Sequence, residues 1–205
     1  MAAIRRLKKS RTLLPSKMAG EVKRTSVARP KGFRVLCPKT PHWGLGHVLS
    51  DDGGAKVTVF FLGAGKRMLD TTMVELELVT GRSALHPILD VAAQANWQHA
   101  HHNLYVVELK AEVFSLEHKF REANLVHIPG VKPCVYVGMT GLTPEERLQE
   151  HRNGNHSARF VKKYGVRPLP ELYTHFNPMP YALASVMEVE LARQLREQGY
   201  GVWQH

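Results

Sequence analysis

Cysteine is nearly absent: Cys37 and Cys134 are the only two in 205 residues. They stand far apart, in strand-like contexts, and neither has a CxxC partner. This argues against a disulfide framework or a thiolate metal site and for reduced, buried thiols in a cytoplasmic protein. Long apolar runs are missing too. No stretch approaches ~18 uninterrupted apolar residues, so no membrane-spanning helix is expected, and the N-terminus lacks the apolar core of a signal peptide. Internal repeats and low-complexity tracts are also missing. Acidic residues are scarce, with 18 Asp and Glu against 28 Lys and Arg, for a formal net charge of +10 and a pI near 9.8. Such a field favours polyanions, and nucleic acid is the leading partner class, although charge alone does not separate DNA from RNA or from an acidic protein. Apolar content is ordinary, and the length suits one large or two small domains with a real core.

The most informative stretch is Pro133-Cys134-Val135-Tyr136-Val137-Gly138-Met139-Thr140 and the helix that follows. Its β-branched and aromatic residues predict a buried strand, with Gly138 and Gly141 as the turn. Thr143-Pro144-Glu145-Glu146 predicts a helix start: Thr143 as cap, Pro144 at the first helical position, and Glu146 completing a capping box. Arg147 and His151 then stand at i, i+4 and share one helix face.

Upstream, residues 1–30 carry nine Lys and Arg among few apolar residues and are expected to be a disordered basic arm. It reads as a nucleic-acid tether, a solvated tail, or an extended start ahead of Met18 as initiator. Residues 31–80 hold short strands, with Asp52-Gly53-Gly54 as a hairpin turn, and predict a small β-barrel. Trp43 in it is a stacking platform for a base or a partner peptide, or a core anchor. Residues 81–102 form a linker with one helix opened by His86-Pro87. His99, His101 and His102 follow, lacking the acidic or thiol companions of a metal site. From 103 to 205 the pattern predicts a second domain. It has a strand at Leu104–Leu109, an inserted helix within 110–132 carrying Val113, Leu116 and Phe120, and a short helix over 157–164 with an exposed Arg159, Lys162 and Lys163 cluster. A strand over 172–176 follows, then a final helix over 181–198 with Leu183, Met187, Leu191 and Leu195 inward, and a closing strand after Gly199.

Tyr136-Val137-Gly138, then Arg147 and His151, then Gly154-Asn155-His156-Ser157, resemble the second half of the GIY-YIG nuclease signature. Asn103-Leu104-Tyr105-Val106-Val107 resembles that family's first strand, and Ala184–Ala192 the helix carrying its metal-binding glutamate. Pro41–Val48 with Val59–Arg67 resembles the SH3- or Tudor-like docking module at the tails of some bacterial DNA helicases. The resemblances imply an α+β chain: a small barrel, then a sandwich with a small mixed sheet flanked by helices. They imply a DNA endonuclease of repair or processing that uses Mg²⁺ or Mn²⁺, with a protein partner for the barrel. By the same resemblance Tyr105 activates water, Tyr136 supports it, Arg147 holds phosphate, His151 and His156 orient groups or contact phosphate, and Glu188 holds the metal. The chain departs from the family in separating the two tyrosine strands by more than twenty residues, and in having Asn103 where glycine is common.

The residue types suit the chemistry. Phosphodiester hydrolysis requires a deprotonated nucleophile, positive charge at the phosphate and help for the leaving oxygen. Arg147 offers a planar fork matched to phosphate oxygens. A phenol titrating near ~10 needs nearby positive charge to act as a base. Glu188, among Ala184, Met187, Leu191 and Ala192, is costly to bury alone and suits a hydrated Mg²⁺; the plainer alternative is an ion pair with Arg147. Glu190 is the fallback ligand. The rival readings are a nucleic-acid-binding or helicase-partner adaptor without activity and an RNase on structured RNA.

Overall fold

The computed structural model describes residues 32–154 and 158–204, so the basic arm and the Asn155-His156-Ser157 stretch lie outside the described residues. The first sheet grows from the expected hairpin. β2 (Gly46–Asp51) and β3 (Lys56–Phe61) pair antiparallel across Asp52-Gly53-Gly54. Gly53 takes a φ of +72°, and the Asp51 and Asp52 carboxylates accept the Gly53 and Gly54 amides at 2.8 Å each. With β1 (Arg34–Leu36), β4 (Gly65–Asp70) and β5 (Glu77–Val79) they make a five-stranded antiparallel sheet in the order β4-β3-β2-β1-β5. Val35, Val48, Val57, Val59, Phe61 and Leu69 form its core.

A closed barrel would require β4 to pair with β5, and among the described strands it does not. The three residues of β5 are used in pairing with β1. β4 lies instead beside the turn at Thr174–Phe176, where the Gly65 backbone meets the His175 carbonyl so closely that no Cβ would fit.

The segment between the sheets is packed rather than free. α1 (Pro87–Gln94) starts at the expected proline and buries Leu89 and Ala92 in the second core. The Trp97 indole donates to the Ala92 carbonyl at 3.0 Å, and its ring lies 5.7 Å from that of Phe60, a β3 residue that belongs to the second core. Arg34 reaches Asp90 at 2.5 Å from the first sheet.

The second sheet is mixed, in the order β8-β6-β7-β9. β6 (Asn103–Leu109) pairs antiparallel with β7 (Cys134–Thr140), and β9 (Gly201–Trp203) runs parallel to β7. The remaining strand, β8 (Gly165–Pro168), corrects the expectation of one at 172–176. Those residues form 3-10 turns at Pro170–Leu172 and Thr174–Phe176, which bury Tyr173 and Phe176 against β6.

The 110–132 insertion holds two short helices instead of one, α2 (Glu112–Leu116) and α3 (His118–Glu122). Between them Glu117 is extended, with its carboxylate drawn to Arg159, Lys163 and the Tyr164 hydroxyl at 2.8, 3.1 and 2.8 Å. Leu116 is therefore 65% exposed, whereas Val113 and Phe120 are buried. α4 (Pro144–Asn153), α5 (Arg159–Tyr164) and α6 (Tyr181–Glu197) complete the unit, and α6 buries Leu183, Met187, Leu191 and Leu195 as expected.

Candidate active site

The register of β6 against β7 brings two tyrosines to one face. Tyr105 stands opposite Gly138, and Val107 opposite Tyr136. Side chains alternate along a strand, so Tyr105 shares a face with Val107 and meets Tyr136 on the diagonal. Their ring centroids are 5.9 Å apart. The insertion thus leaves the strand pairing intact.

Gly138 is a strand residue, not part of the turn as expected. A Cβ there would fall 2.5 Å from Tyr105 Cζ and 2.6 Å from its Oη, so the tyrosine ring occupies the space a side chain would need. The turn begins after Thr140, whose Oγ1 accepts the Leu142 amide at 3.1 Å. Asn103 donates to the Leu142 carbonyl at 2.9 Å and so ties β6 to this turn.

α4 delivers the next two groups. Thr143 and Glu146 form the complete capping box, and the C-terminal Gly154 adopts φ +82°. One turn apart, Arg147 and His151 both reach Tyr105. His151 Nε2 lies 2.9 Å from Tyr105 Oη, and Arg147 also hydrogen-bonds this phenol. On its far side His151 Nδ1 accepts the Ala158 amide at 3.2 Å. The imidazole is 1% exposed; burial first, and then the Arg147 charge, push its pKa down to about 4, so it is neutral at physiological pH. Arg147 pairs with Glu150 at 2.7 Å rather than with Glu188, which removes the plainer alternative for that glutamate.

Glu188 is presented by α6, which packs on β6 and β7. It is half-buried, and burial raises its pKa to about 7. No described residue gives its carboxylate a hydrogen bond or an ion pair, while its charge is felt at both tyrosines. Glu190, the expected fallback, is committed elsewhere: Arg193 and Gln194 hold it at 2.6 and 2.8 Å, and Arg193 keeps its pKa low.

A divalent cation fits Glu188 in one respect, since a desolvated carboxylate without a partner is costly and a cation would offset that cost. No group of three His, Cys, Asp or Glu among the described residues could hold a metal. An ion here would rest on Glu188 and retained waters, a habit of Mg²⁺.

Both phenols are hard to ionise as they stand. Burial raises Tyr105 despite the opposing hydrogen bond from Arg147, and burial together with Tyr105 raises Tyr136 further. Acting as a base therefore requires additional positive charge close by.

Of the other expected residues, His156 lies outside the described residues. His99, His101 and His102 gather no metal-ligand cluster. Trp43 is half-buried against Phe61, with centroids 5.1 Å apart and Arg67 6.0 Å over its ring, the arrangement of a core anchor. Arg159, Lys162 and Lys163 are exposed as expected, and Glu117 pairs with Arg159 and Lys163. Both cysteines are buried and free, and burial raises Cys134 to about 11. Sequence reasoning did not single out Glu150, Ala158 or the steric role of Gly138. Only Glu150 had a readable signal, its i+3 spacing from Arg147.

Among the described residues no helix is long and apolar enough to cross a membrane. A family model described as a protein of unknown function, DUF3553, matches residues 30–79, which span the first sheet and stop short of every residue of the candidate site. No curated protein and no solved structure matches the chain.

Proposed function

We propose that this chain is a metal-dependent endonuclease of the GIY-YIG type that hydrolyses DNA phosphodiesters. The first sheet, as an SH3- or Tudor-like docking module, recruits a protein partner. One observation carries this reading: Tyr105, Tyr136, Arg147, His151 and Glu188, from two strands and two helices spread over 84 positions of sequence, converge on a single phenol. Packing alone does not call for a histidine, an arginine, two tyrosines and a glutamate with no partner among the described residues at one spot.

In this reading Arg147 binds a non-bridging phosphate oxygen and stabilises charge as it builds there. Tyr105, after losing its own proton to solvent, orients the attacking water and takes its proton, with Tyr136 supporting the ring. The water oxygen bonds to phosphorus, the bond to the leaving sugar oxygen breaks, and that oxygen takes a proton from solvent. Glu188 would hold Mg²⁺, which supplies positive charge beside the phosphate and the phenols when bound.

A second reading, a nucleic-acid-binding adaptor with a silent site, draws on one observation. Tyr105 is 2% exposed, and burial dominates its raised pKa. Supercoiled plasmid, branched DNA and structured RNA, each incubated with Mg²⁺ or with EDTA, discriminate the readings. Mg²⁺-dependent cutting of DNA supports the nuclease. Cutting of RNA alone moves the substrate class, and binding of all three without cutting supports the adaptor.

A further inference from the structure

The hydrogen bonds around His151 fix which of its nitrogens carries the proton. A backbone N–H only donates, so the Ala158 amide 3.2 Å from Nδ1 requires that nitrogen to be an acceptor and hence bare. A neutral imidazole then carries its one proton on Nε2. Nε2 lies 2.9 Å from Tyr105 Oη, so at this contact the histidine donates and the phenol oxygen accepts. Arg147 and Tyr136 hydrogen-bond the same phenol. An arginine is donor-only. Three groups able to donate therefore surround one oxygen, an arrangement that suits a phenolate better than a phenol.

We infer that the Ala158 amide locks His151 in its Nε2–H tautomer, making His151 a hydrogen-bond donor that positions and stabilises Tyr105 rather than a base that removes its proton. The inference rests on the reading of Tyr105 as the group that accepts charge, but the tautomer itself does not. It makes Ala158, at the start of α5, a positioning residue acting through His151. A histidine accepting the tyrosine proton would need the opposite tautomer, with Nδ1 protonated and facing an N–H it could not accept from. The phenol proton, when present, therefore points away from His151.

The test is a long-range proton–nitrogen correlation spectrum of the full chain with ¹⁵N-labelled histidine, His151→Gln identifying the resonances. The wild type should show a protonated Nε2 and a bare Nδ1. A protonated Nδ1, or an averaged pair, overturns the inference. Ala158 has φ −61°, which proline adopts, so Ala158→Pro removes the amide with little change in backbone angle. That variant should show both tautomers and reduced cleavage; an unchanged tautomer would mean that the amide is not the lock.

Two further variants separate donor from base. His151→Gln keeps an N–H for Tyr105 and a carbonyl for Ala158, whereas His151→Glu offers only acceptors. If His151 donates, the glutamine variant cleaves faster than the glutamate variant by on the order of a hundredfold, the usual effect of one donor at a developing charge. Equal rates count against a donor. If the wild type shows the Nε2–H tautomer but cuts no nucleic acid, the nuclease reading fails and the tautomer assignment stands.

Discussion

At the scale of single residues, the site depends on space as much as on charge. Gly138→Ala would place a methyl within 2.6 Å of Tyr105 Oη, forcing the ring off His151. Overpacking of this kind costs about 1–3 kcal/mol, so the variant should melt lower yet fold, and cleave at least about a hundredfold more slowly. Wild-type cleavage by Gly138→Ala would show that the Tyr105 position does not matter. Glu188 gives a second prediction. Its folded-state pKa of about 7 lies above the ordinary 4.5, so between those values the folded chain holds a proton that the unfolded chain has released. This group therefore weakens folding as pH rises from 4.5 through 7. In EDTA, Glu188→Gln should raise Tm at about pH 8 and leave it nearly unchanged at about pH 4.5. Equal shifts at both would mean that Glu188 is not strained by burial. Tyr136, Arg147, His151 and Glu188 were singled out in the sequence because their order and spacing resemble the GIY-YIG signature. The reason for Gly138 was not, because it depends on a ring that arrives from a strand 33 positions earlier.

At the scale of elements, the α4 and α6 signals and the β6–β7 pairing held, while the insertion and the 172–176 segment took their form from partners elsewhere in the chain. The α4 capping box and the α6 apolar stripe are written within a few residues of where they act. Thr143→Ala should accordingly cost about 1 kcal/mol, seen in denaturant melts. The break between α2 and α3 was not legible, because Glu117 is drawn out by partners on α5 more than forty positions away. The 172–176 segment likewise has strand-like composition, and the edge of β6 is taken instead by β8. β9 is a short edge strand whose Val202 N–H and C=O are both engaged by the Asn124 side chain, at 2.6 and 3.0 Å. Asn124→Ala removes the acceptor of the Val202 N–H, while the carbonyl keeps Arg196 at 3.3 Å, and should cost about 1–3 kcal/mol. Hydrogen exchange at the Val202 amide should accelerate at the same time; unchanged exchange would mean that the insertion does not secure that edge.

At the scale of the whole molecule, the two sheets are tied together. Phe60 of the first sheet sits in the second core, Arg34 pairs with Asp90, and β4 lies against the 174–176 turn. The described chain should therefore unfold in one transition; two separated transitions in urea would mean that the units are independent. This joining gives the proposed docking module a fixed place beside the proposed catalytic unit. The central claim remains that Tyr105 and the four side chains around it cut DNA with the help of a cation at Glu188. Its most direct test is cleavage of supercoiled and branched DNA by the wild type and by Glu188→Gln, in Mg²⁺ and in EDTA, with binding measured on the same substrates. The account predicts Mg²⁺-dependent cutting by the wild type, and none by the variant, which still binds. Undiminished cutting by Glu188→Gln, or cutting by the wild type in EDTA, would contradict it.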